Sequence, residues 1–103
     1  MTTKPGVSVA GLQPEALYGL MIVQEVFRKA NLEMTVTSVT DGMHSAGSLH
    51  YIGHAFDLRL YQIPQAKLDA VIAQCRERLP DSFDVVMESD HIHIEHQPKK
   101  QRQ

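Results

Sequence analysis

The chain has 103 residues, of which 43% are hydrophobic and 21% charged, and its formal net charge is −2. That length points to one domain over 1–103 with a single modest core, and the composition excludes a disordered chain. The charge balance leaves no electrostatic footprint for nucleic acid, and no apolar run is long enough to span a bilayer.

Residues 1–10 read as an extended or frayed lead without the apolar stretch of a secretory signal, so the expectation is a protein that is cytoplasmic as synthesised. Pro14 suits the first turn of a helix and Glu15 its positive end. Leu17, Leu20, Met21, Gln24 and Phe27 mark the helical spacing, and Val23 and Ala30 widen the apolar face. Asn31 serves as the stop. Residues 34–40 are β-branched and alternating, which predicts a strand. A loop rich in Gly and Ser follows to about Leu49. Residues 54–60 alternate again and predict a second strand. Pro64 opens a second helix, with Leu68, Ile72, Cys75 and Leu79 at steps along one face. Pro80 ends it, because proline disfavours helix in the residue before it. Cys75 is the one cysteine, so no intramolecular disulfide forms; its place on the apolar stripe marks a buried thiol. Residues 83–87 and 92–94 predict two further strands, joined through Glu88, Ser89, Asp90 and His91 as a tight turn or a bulge. Residues 97–103 form a polar tail.

Helix, strand, strand, helix, strand, strand is too poor in helices for a doubly wound parallel sheet. The expected fold class is α+β: a mostly antiparallel sheet with two main helices packed against it.

Six histidines are many for so short a chain, and all fall in or near two clusters. Histidine is the commonest metal ligand and the commonest general acid or base. The first cluster runs from Ser48 to Asp57. A catalytic zinc site needs about three nitrogen or carboxylate donors and an open position. His50 and Asp57 are suitable types. Gly53 lets the chain turn sharply between them, and Ala55, on Asp57's strand face, leaves room beside a metal. The second cluster runs from Glu88 to His96. Along a strand, Ile92 and Ile94 face the core, and His91, His93 and Glu95 face the other way. One of those histidines supplies a third donor, and a nearby acid takes a proton from water. Asp90 stands three before His93 and Glu88 three before His91. Residues three apart lie on opposite faces of a regular strand, so either acid needs an irregularity near Ser89 to His91.

Each of these residues also has a plainer reading. His50 and Asp57 can be a hydrogen-bonded pair in a small core, His93 a surface-strand residue, and Asp90 a turn cap. His91 and His96 read as solvated strand-end residues, and His54 as exposed at the rim of a cleft. Ser48 is a loop cap or a partner that orients a ligand, and Tyr51 a packing or rim residue.

The pattern of Ser48, His50, Gly53, Ala55 and Asp57, followed by an acid three before a histidine, resembles the zinc D-alanyl-D-alanine carboxypeptidases. Their relatives include D-Ala-D-Ala dipeptidases, phage L-alanyl-D-glutamate endopeptidases and the hedgehog domain of the same fold. His93 and Glu95 also resemble the family's His-aromatic-Glu continuation. The resemblance covers about residues 10–96. It implies a hedgehog/DD-peptidase fold with one Zn2+ per chain, held by His50, Asp57 and His93, with Asp90 as general base and Glu88 as its competitor. The implied substrate is a peptidoglycan stem peptide, with neither nucleic acid nor membrane as a partner. The size suggests a phage-type enzyme that reaches the wall after lysis or by virion delivery. Many members carry an arginine before the first motif, and none occurs in 38–49 here. His44, or failing it Arg59, stands in that role. Without it, the same fold could serve as a zinc-binding non-catalytic module, or as a metal-free structural virion protein. The implied action is that of a carboxypeptidase or an endolysin-like endopeptidase.

Overall fold

The computed structural model describes residues 1–40 and 53–97. Among them the order is β1 (Thr2–Thr3), a short 3-10 turn (Val9–Gly11), α1 (Pro14–Lys29), β2 (Thr35–Thr40), β3 (Ala55–Arg59), α2 (Gln65–Arg78), β4 (Phe83–Met87) and β5 (His91–His96). This is an α+β domain with two helices and one five-stranded mixed sheet of order β1-β2-β3-β5-β4. Among the described residues β1 pairs with β2 in parallel, and the other three pairings are antiparallel. The lead expected over residues 1–10 thus supplies an edge strand, whose Thr2 hydroxyl lies 2.7 Å from that of Thr35. No described helix is long and apolar enough to cross a membrane.

Pro14 occupies the first turn of α1, as its missing N–H predicts, and Asn31 ends the helix in the left-handed region at φ 60°. The buried stripe of α1 is Ala16, Gly19, Leu20, Val23, Val26 and Phe27. Leu17 and Met21, expected inside, are exposed. The stripe is rotated because the ring of Phe83 packs on Gly19 and leaves no room for a Cβ there. α2 buries Leu68, Val71, Ile72 and Cys75, as its spacing predicts. Both helices cover one face of the sheet. There they enclose Val36, Phe56, Leu58, Val85, Ile92 and Ile94 in a single apolar cluster. Period-two alternation then turns Asp57, His91, His93 and Glu95 to the opposite face, as the sequence predicts.

Two backbone features place that face. Gly53 has φ +77°, and its carbonyl accepts the Gln13 N–H at 2.9 Å, tying the entry to β3 to the start of α1. Residues 88–91 form a turn rather than a bulge, closed by the Glu88 N–H donating to the His91 carbonyl at 2.8 Å. The register irregularity falls instead on β2, between Val36 and Ser38, directly across from Asp57. Thr37 sits in it, its hydroxyl donating to the Asp57 carbonyl at 3.4 Å.

Candidate metal centre

Asp57 in the middle of β3 pairs in register with His93 in the middle of β5, and Arg59 pairs with His91. An antiparallel pair sets opposed side chains about 5 Å apart at Cβ, so a carboxylate and an imidazole meet without strain. Asp57 Oδ1 lies 2.7 Å from His93 Nδ1 and 3.9 Å from His91 Nε2. The three residues, all half-buried, bring one donor atom each within 4.8 Å of one another and are close enough to hold a metal ion.

Both imidazoles are held from their far side. His93 Nε2 lies 3.0 Å from Glu95 Oε1, and His91 Nδ1 lies 2.7 Å from Asp90 Oδ1. Glu95 is itself steadied by the Gln97 side-chain amide, which donates to Oε2 at 3.3 Å. The Asp57 hydrogen bond pushes the His93 pKa up to about 9, and the Glu95 bond adds to it against the cost of burial. The His91 hydrogen bond holds the Asp90 carboxyl below its usual range.

The donors suit a divalent ion. Two imidazoles and one carboxylate are the borderline set that zinc takes, and other first-row ions accept it as well. Donors about 2.0–2.1 Å from a tetrahedral ion stand about 3.3 Å apart. The two Asp57 distances, 2.7 and 3.9 Å, lie on either side of that edge.

The structure brings together Asp57 and His93, both expected as ligands. His91, expected as a solvated strand-end residue, stands with them. Its signal was the alternation that puts 91, 93 and 95 on one face. Asp90 lies in the turn with its side chain 85% exposed, and its bond is to His91. Glu88 is exposed at the same turn. His44, Ser48, His50 and Tyr51 lie outside the described residues, and with His50 so does the third expected ligand. Arg59 stands one row from the centre with its guanidinium 5.2 Å from the ring of Tyr61.

Two further histidine expectations are corrected. His96 is buried, on the helix side of β5 rather than in solvent, because the strand runs on past Ile94 and alternation turns residue 96 inward. Its ring lies 5.0 Å from that of Phe83, and burial lowers its pKa. His54 is half-buried against it, with the two Nδ1 atoms 3.4 Å apart. A groove of about 520 Å³ between the helices, lined by Val26, Lys29, Ala66, Lys67 and Arg78, contains no histidine and lies on the covered side of the sheet.

Fold and centre define an α+β domain with a histidine–carboxylate cluster on the sheet face opposite its helices. No family model, curated protein or solved structure matches the chain.

Proposed function

We propose that this protein is a zinc-dependent peptidase that cleaves D-amino-acid-containing stem peptides of bacterial peptidoglycan, with a domain of the hedgehog/DD-peptidase type. The observation that carries the reading is the register of Asp57 against His93. Two residues 36 apart, singled out by motif, meet at 2.7 Å on the one sheet face that the helices leave open. Asp57 and His93 hold the ion. His91 is the third donor offered by the described residues, and His50 the one the motif implies.

When bound, the ion supplies Lewis-acid chemistry, polarising a carbonyl and lowering the pKa of water. The chain's own residues do the rest. With His50 as third donor, His91 acts as the base. Asp90 fixes its Nδ1 as the protonated nitrogen, leaving Nε2, on the side of Asp57, to accept a proton from the attacking water and pass it to the leaving amine. Asp90 then works through the His91 ring, in keeping with its exposed place in the turn. Val86, opposite His93 in register and exposed, offers an apolar wall for a substrate methyl group.

A second reading, a zinc-binding module without activity, is favoured by the absence of an arginine in 38–49 and by the stacking of Arg59 on Tyr61. One experiment separates them. Metal content and hydrolysis of purified peptidoglycan are measured on the wild type, His50→Ala, His91→Ala and His93→Ala. The peptidase reading expects one zinc per chain and product release, both lost in His93→Ala. His91→Ala keeps its zinc and loses turnover if His50 is the third donor, and loses both if His91 is. Zinc without hydrolysis selects the binding module, and no zinc in the wild type refutes both.

A further inference from the structure

His93 is held at both ring nitrogens by carboxylates, and the two are not equivalent. Asp57, on Nδ1, also faces His91 and belongs to the group of donors that can share an ion. Glu95, on Nε2, lies outside that group. It sits two residues along the same strand face, a span of about 6.6 Å that a glutamate crosses and an aspartate does not. Its second oxygen is occupied by Gln97, so the carboxylate is aimed before any ion arrives. A neutral imidazole has one N–H and one lone pair, and whichever nitrogen donates a hydrogen bond leaves the other to ligate.

From this geometry we infer that Glu95 is a positioning residue: it accepts the Nε2–H of His93, fixes the tautomer, and so presents Nδ1 toward Asp57 as the ligating atom. The inference rests on the metal-site reading above and adds to it a residue that is neither ligand nor base. Ligating imidazoles generally have such a partner on their other nitrogen, and its loss weakens metal binding without removing a ligand. The same logic applies at the other end of the cluster, where Asp90 holds His91 Nδ1.

The test uses the full chain, labelled with nitrogen-15, with and without zinc. Long-range proton–nitrogen correlation spectra report which ring nitrogen of His93 carries the proton. Zinc is expected to shift Nδ1 while Nε2 stays protonated. Zinc on Nε2 with a protonated Nδ1 overturns the inference and leaves the metal site standing, whereas failure to take up zinc at all overturns both. Zinc affinity is then compared across variants. Glu95→Ala is expected to lose about 10–100-fold, and Glu95→Gln, which keeps an acceptor oxygen, to regain most of it. Affinity in folded Glu95→Ala within twofold of wild type overturns the inference. If that variant does not fold, the wild-type spectra and Glu95→Gln decide the matter.

Discussion

Replacing Gly53 by alanine asks how much of the fold depends on one backbone position at the entry to β3. Gly53 has φ +77°, and a Cβ there would lie 2.5 Å from the Gly11 carbonyl oxygen and 3.2 Å from the Gln13 backbone nitrogen. The left-handed conformation costs an L-residue about 1–2 kcal/mol. Displacing packed backbone adds about 1–3 kcal/mol, as overpacking does elsewhere. Alanine also restricts the unfolded chain, which returns about 0.4–1 kcal/mol. The net expectation for Gly53→Ala is a loss of about 1–5 kcal/mol, a sizeable part of the roughly 5–15 kcal/mol that holds such a domain together.

Two other glycines separate the contributions. Gly6 has φ +89° but nothing within 4 Å of its missing Cβ, so Gly6→Ala carries the conformational cost alone. Gly11 has neither constraint, and Gly11→Ala is expected within about 0.5 kcal/mol of wild type. Urea unfolding of the metal-free protein, followed by circular dichroism, gives all three values from midpoints at a common slope. If Gly53→Ala is no worse than Gly6→Ala, the contact with Gly11 and Gln13 does not brace the entry to β3, and the reasoning fails.

Three further outcomes follow from the ionisable groups. His96 is buried and its pKa lies below 6.5 in the folded state, so the unfolded chain binds more protons as pH falls below 6.5; stability should drop in that direction, and His96→Phe should flatten the drop in denaturation curves taken from pH 7 to 5. In the metal-free protein His93 titrates near 9 against 6.5 unfolded, so its contribution to stability is fully present below pH 6.5 and lost as pH rises through 9; zinc requires the neutral ring, and its uptake at pH 7 should therefore release about one proton from His93, read by calorimetry in buffers of different ionisation enthalpy. Burial pushes the Cys75 thiol up to about 12, so a thiol reagent at pH 8 should label the chain only after unfolding; labelling of the native protein at the rate of a free thiol would contradict its place in the core.

Much was legible without the tertiary structure, because it rests on local rules. The restriction of φ at Pro14 and Pro64 marks where both helices begin. Alternation over 55–59 and 91–96 places Phe56, Leu58, Ile92 and Ile94 inward and Asp57, His91, His93 and Glu95 outward. The need for a left-handed residue before β3 singles out Gly53. Together these yield the α+β class and two members of the candidate metal centre.

What only the tertiary structure decided depends on contacts between distant residues. Local pattern cannot say that β5 inserts between β3 and β4, nor that Asp57 pairs with His93 rather than with a neighbour one step along; strand order and register are properties of two segments at once. Thr2 and Thr3 are too few to announce a strand and become one only against β2. Leu17 and Met21 follow the helical period as well as Leu20 does, and the ring of Phe83 on Gly19 is what turns them outward. The same holds for the carboxylates around the centre. Residue type makes Asp90 and Glu95 equally able to take a proton, and the fold sets one in a turn against His91 and the other along the strand against His93.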